Sequence, residues 1–354
     1  MSQVLDNRTR NTDIDILRGI GAVSVVIGHA MNAELFSSAG AEFIRRFVYL
    51  YHLPIFFFCA GYFFRCESII ACLRKLWKQY KLMILFCFGS YFFIPLWVKM
   101  GAIEMPLIGE IVRKSINILL FREDGYYVGA MWFVPFMATT TIIYAVLYLV
   151  FMKSNTKCFE PACVICGIMG VLLVSRYGIG KRYIYISMLM TPVMLAGALY
   201  TKYESKIKNG KWLLIPTVLC MTTVCLSGGG GQVELSKGLI LNGWLFYPVI
   251  FCGIVFCILI KDIIKSVSAS NKIFSALGQA SAYIMGLHFI AFKLIDVIAY
   301  KAKIIPIEIS AFPIGSPKLR VCYIIFGLLL PIAWFKVVCV LRSVMLKHEI
   351  YKHS

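Results

Sequence analysis

The chain has 354 residues, of which 60% are hydrophobic and only 15% charged, too little charge to cover a soluble protein of that length. The formal net charge is +19, from 36 Lys and Arg against 17 Asp and Glu. The basic residues sit in short clusters between long apolar runs, which fits membrane topology and anionic headgroups and argues against a nucleic-acid partner.

In hydrocarbon every backbone N–H and C=O must be satisfied within the protein, so each apolar run predicts a helix. The expected fold is an all-α polytopic membrane protein of about ten transmembrane helices. It is read as a single domain over residues 1–354, without a soluble domain. The first predicted span covers 16–35; its flanks do not resemble a cleavable signal, so it is expected to stay as a helix. The second covers 47–64, the third 82–98, the fourth 131–151 and the fifth 161–175. The remaining five cover 184–200, 212–227, 239–260, 280–300 and 321–341.

With the N-terminus in the cytoplasm, 19 of the 36 Lys and Arg fall inside, 14 outside, and Arg18, Lys293 and Lys336 within spans. That bias sets the orientation, and an even span count puts both termini inside the inner membrane. The longest outside loop, 99–130, holds Arg113, Lys114, Glu123 and Asp124 and is expected to carry a short amphipathic helix. The run 228–231 is four glycines and reads as an outer turn, since it lacks the Lys and Ser/Thr of a phosphate-binding loop. Most of the 13 Cys lie in apolar runs as small hydrophobes. The Cys163–Cys166 pair has no second Cys or His pair nearby, so no metal site is expected.

Ionisable groups inside spans are costly and usually functional. The first span holds Arg18 and His29, eleven residues apart. That is three helical turns plus roughly 20°, so both side chains project along one face, about 16 Å apart. A guanidinium suits phosphate, and a His at depth suits proton transfer. The alternative is that Arg18 snorkels to headgroups while His29 bonds a neighbouring carbonyl. His52 opens the second span beside Pro54, at a depth where its imidazole could meet that of His29; the alternative is a helix-start cap. Asp13 and Asp15 read as caps of the first helix. Lys293 and Asp296, three apart, read as a pair.

These residues carry a resemblance. The stretch from Asp13 through Arg18-Gly19 to Gly28-His29 resembles the opening of the family-3 membrane acyltransferases, which O-acetylate bacterial surface polysaccharides and related glycans. The stretch from His52-Leu53-Pro54 to Gly61 resembles that family's His-x-Pro-x-Phe-Phe motif. The basic cluster Arg74, Lys75 and Lys78, the stretch Trp132-Phe133-Val134-Pro135, and Leu277-Gly278 through Ser281 to His288 resemble its later motifs, in the family's order. The chain departs from many relatives in having no Pro soon after the basic cluster.

The resemblance implies an acyl-CoA donor, acetyl-CoA first, and a cell-surface glycan or lipid-linked sugar as acceptor, without a metal. It implies His29 as general base with His52 assisting, and Arg18, Arg74, Lys75 and Lys78 as holders of the donor's phosphates. Trp132 and His288 are its candidate substrate-binding residues. Trp132 also reads as an interfacial anchor, and His288 as structural. The competing reading is a transporter or flippase for a glycan or acyl substrate, which explains the spans equally well but not the Arg-x10-His and His-x-Pro pair.

Overall fold

A computed structural model describes residues 11–32, 38–120, 122–154, 156–178, 180, 183–208, 210–227, 232–241, 243–303 and 305–353. The glycine run 228–231 lies outside them. Among the described residues the protein is all-α, with one isolated antiparallel bridge between Glu234 and Leu239. Eight helical segments are long and apolar enough to cross a membrane, and two shorter apolar ones, Ile184–Tyr200 and Lys211–Leu226, fall where the sixth and seventh spans are predicted.

Helix α1 (Thr12–Met31) starts at Asn11, whose side chain accepts from the backbone N–H of Asp13 and Ile14. The cap is therefore Asn11 and not the two aspartates. Asp13 instead ties α1 to α12 (Phe246–Ser266), pairing with Lys265 at 2.5 Å and with the buried Lys261 at 3.3 Å. The second predicted span is two helices, α2 (Ala39–Tyr49) and α3 (Pro54–Tyr62), broken at residues 50–53. Pro54 has no N–H to give to Leu50, so α2 cannot continue; a new helix starts with the proline in its first turn. His52 sits in that break.

The basic cluster is helical. Arg74, Lys75 and Lys78 lie on the first turns of α4 (Ile69–Gly89), which begins well before the predicted third span and continues into α5 (Ile94–Lys99). The amphipathic helix expected in loop 99–130 is α6 (Ile108–Leu119), which lies against α4. The Ser115 hydroxyl meets that of Tyr91, and the Leu119 carbonyl accepts from the Tyr80 hydroxyl. Then follow α7 (Phe133–Ser154), α8 (Thr156–Tyr177), α9 (Ile184–Leu189), α10 (Thr191–Lys208) and α11 (Leu214–Leu226). Beyond α12 comes α13 (Ser268–Gln279), a helix in what reads as a basic loop, and then α14 (Ser281–Ala302) and α15 (Arg320–His353).

The first two spans each bury 72% of their apolar window and α14 buries 67%, whereas the last span buries 11%. The interior of the bundle is therefore α1, the α2–α3 pair and α14, with α15 at the rim. Two helix crossings bring backbones together at glycine. A methyl at Gly278 of α13 would overlap the Asp15 carbonyl of α1, and one at Gly19 would overlap the Phe274 carbonyl. Gly61 of α3 and Gly197 of α10 meet the partner backbone at Met194 and Phe58 in the same way. Close approach through small residues is the usual packing device where lipid gives helices no hydrophobic drive to associate.

Candidate active site

Two cavities lie along α1. The larger, of about 440 Å³, is lined by Arg18 together with Arg65, Lys75, Gln79 and Ser281 among apolar side chains. The smaller, of about 30 Å³, is lined by His29, His52, Tyr49, Trp132, Glu234 and Ser236. Phe133 and Met285 line both.

The eleven-residue spacing of Arg18 and His29 predicts that both side chains project along one face of α1. They do share a stripe of α1, but the stripe opens into two chambers in series. The smaller has room for a water or two by volume.

In the larger chamber Arg18 lies over the Phe63 ring, its Cζ 5.2 Å from the centroid. Arg65 and Lys75 stand on the same wall, the Lys75 ammonium donating to the Arg65 carbonyl at 3.1 Å. Arg74 and Lys78 are exposed on α4 and do not line the chamber. Gly278 and Ser281 do line it, because the α13–α1 crossing brings that turn against Arg18.

In the smaller chamber His29 is half-buried, while His52 and His288 are buried. His288 does not line the chamber; it stacks behind His29, ring centroids 5.3 Å apart and planes 23° apart. Phe289 packs on His29 edge-on at 4.7 Å. The imidazole that meets His29 is thus that of His288. His52 shares the chamber, with the Tyr49 ring 4.5 Å from His52 and 6.4 Å from His29. The His52 Nδ1–H donates to the Val48 carbonyl at 3.1 Å, and the His288 Nδ1–H to the Ile284 carbonyl at 2.7 Å. A carbonyl accepts only from N–H, so both rings keep their Nε2 lone pair free when neutral.

Trp132 is held from the side. Its ring stacks on Phe136 at 5.6 Å and lies 6.0 Å from Tyr183. Its backbone N–H donates to Asp124, a loop carboxyl pushed up to about 7 by burial, with Glu123 adding to the shift and Lys114 opposing it. Residues that sequence reasoning left out of the site include Arg65 in the larger chamber and Tyr49, Glu234, Ser236, Met285 and Phe133 in the smaller. Glu234 and Ser236 follow the glycine run, where only a turn is legible. Met285 and Phe133 are apolar residues in apolar runs, and carry no signal of their own.

Residues 11–335 match the family model of the acyltransferase domain Acyl_transf_3, and the chain belongs to that family of membrane acyltransferases. No curated protein and no solved structure gives a match.

Proposed function

We propose that this protein is an O-acyltransferase that moves an acyl group, acetyl first, from cytoplasmic acyl-CoA to a hydroxyl of a cell-surface glycan or lipid-linked sugar. The observation that carries the reading is the pair of chambers along α1, one basic and one bearing histidine, whose linings share Met285 and Phe133. Arg18, Arg65 and Lys75 supply the cationic groups that a polyanionic donor needs, and an Arg fork pairs with phosphate in two parallel bonds. The pantetheine arm is long and thin enough to carry the thioester along α1 towards His29.

In the transfer step a His29 nitrogen takes the proton of the acceptor hydroxyl, and that oxygen attacks the thioester carbonyl carbon. The C–S bond breaks, and the sulfur leaves with the proton returned through His29 as CoA thiol. His52 orients the acceptor or stabilises the tetrahedral oxyanion. His288, stacked behind His29, holds that ring in place rather than touching substrate. Trp132 offers a ring face to a sugar. Donor binding at the Arg18 end puts that end, and both termini, on the cytoplasmic side of the inner membrane.

The test uses the purified full chain with radiolabelled acetyl-CoA. The acceptor is a detergent-solubilised membrane extract of a deletion strain, which holds the unacetylated glycan. The unaltered chain is expected to release CoA and label the extract. His29→Ala is expected to lose both by at least a hundredfold while remaining folded. Labelling that survives in His29→Ala overturns the base assignment. Movement of substrate with no CoA released points to a transporter.

A further inference from the structure

The segment 232–241, beyond the glycine run, folds back on itself. The Glu234 N–H donates to the Leu239 carbonyl at 2.8 Å, and the Leu239 N–H donates back to Glu234 at 3.0 Å. Gly238 closes this loop in the left-handed region, φ +68°, which a residue with a Cβ rarely adopts. Val233 and Leu235 are buried and pin the strap to the bundle.

The strap is tied to α2 through Arg45. This buried guanidinium donates to Gln232 at 2.7 Å, to Glu42 at 2.8 Å, and to Glu234 at 3.4 Å. It also lies over the Tyr49 ring, 5.2 Å from the centroid, and Tyr49 in turn abuts His52. One connected network therefore fixes the strap against the imidazoles. Glu234 is 8% exposed and lines the smaller chamber, while its neighbour Ser236 lines the same chamber and is exposed. The chamber's mouth is thus on the strap.

Resting on the acyltransferase reading above, we infer that the strap is the acceptor-side wall of the active site, and that Glu234 positions a polyhydroxylated acceptor by accepting from one of its hydroxyls. A carboxylate suits this because it is acceptor-only, with about four lone-pair sites on two oxygens. Arg45 engages Oε2, and Lys237 engages Oε1 at 3.1 Å. Capacity remains on both oxygens. A sugar offers several adjacent hydroxyls, so one can be held by Glu234 while its neighbour faces His29. The charge-assisted bond fixes which hydroxyl reacts, and orientation of this kind is a large part of rate. Glu234 is a positioning residue: it neither takes the proton nor touches the thioester.

The experiment varies the solubilised extract at saturating acetyl-CoA, and then acetyl-CoA at saturating extract, with the full chain and its variants. Glu234→Gln is expected to raise the half-saturating amount of extract at least tenfold and to leave that for acetyl-CoA within twofold. Glu234→Asp keeps the charge and is expected to recover part of the loss, while Gly109→Val on the far helix α6, where a Cβ meets nothing within 4 Å, leaves both constants near the unaltered values. The inference is overturned if Glu234→Gln moves neither constant. It is also overturned if the two constants move together, which is the signature of a strap that merely loosens the fold. Absence of transfer by the unaltered chain, or persistence of transfer in His29→Ala, instead strikes the acyltransferase reading itself.

Discussion

Burial makes single ionisable groups expensive, and the protein answers differently at each. Lys293 and Asp296 of α14, wholly buried, pair at 3.0 Å, as their spacing predicts. Lys293 also donates to the Ile309 and Ala311 carbonyls at 2.8 and 2.9 Å. Asp296 accepts from Gly315 N–H at 3.1 Å and from the Tyr323 hydroxyl at 2.5 Å, so the pair fastens the 305–316 loop and α15 to α14. Asp296→Ala leaves a buried ammonium without its counter-charge and is expected to destabilise by about 3–5 kcal/mol, read as a lower apparent Tm in detergent. The double change Lys293→Met, Asp296→Leu is expected to recover much of that loss. At Asp124 desolvation outweighs the Trp132 N–H and Lys114: its carboxyl, ordinarily at 3.8, is pushed up to about 7. Because the folded state holds this proton more tightly than the unfolded chain, ionising the group works against folding. Its contribution is most favourable below pH 4, declines between pH 4 and 7, and is flat above. Asp124→Asn is expected to flatten that part of the profile and to raise apparent Tm at pH 8 but not at pH 4. A variant whose Tm differs from the parent by the same amount at both pH values would refute the assignment.

At the level of helices, two glycine crossings set where the site residues stand. Gly278→Val is expected to push α13 off α1 at Asp15, displace Arg18, and lower both yield in fluorescence-detected size exclusion and transfer activity. Gly109→Val on α6, where a Cβ meets nothing within 4 Å, is the matched control and should behave as the parent. Apolar length alone revealed the spans, because lipid rewards only continuous hydrogen-bonded helix. It did not reveal the break at 50–53, although Pro54 was in plain view, since a proline is equally at home at a helix start and at a kink. Nor did it reveal α13, whose sequence is polar enough to read as loop and whose helix is held by packing of Gly278 on α1. Within the site, Arg18, His29, His52 and Trp132 were legible because charge, imidazole and indole stand out against hydrocarbon. Arg74 and Lys78 lie outside the chamber lining, since a basic cluster says which end of a helix meets water, not which side meets a cavity. The histidine partnership depended on tertiary contact: His288 is far from His29 in sequence, and only α14 packed beside α1 stacks the two rings.

For the molecule as a whole, Met285 and Phe133 line both chambers, and on the proposed reading the Arg18 chamber is the donor end and the His29 chamber the acceptor end. Neither side chain is polar, and Met is the more adaptable, with three rotatable bonds and no branching. A partition of this kind has a chemical purpose. On the acyltransferase reading it would keep the thioester away from the acceptor side until the donor is fully seated, so that water does not compete with the acceptor for the acyl carbon. Shortening and lengthening Met285 should therefore have opposite effects. Met285→Ala removes most of the partition on the α14 side and is expected to raise acetyl-CoA hydrolysis in the absence of extract several-fold, with transfer retained. Met285→Trp fills the passage and is expected to cut transfer at least tenfold, while acetyl-CoA still protects the protein in a thermal-shift assay, because the Arg18 chamber is intact. The two measurements together separate passage from binding. If Met285→Trp loses the thermal shift as well, the residue belongs to the donor site itself; if Met285→Ala leaves hydrolysis at the parent rate, Phe133 alone closes the passage.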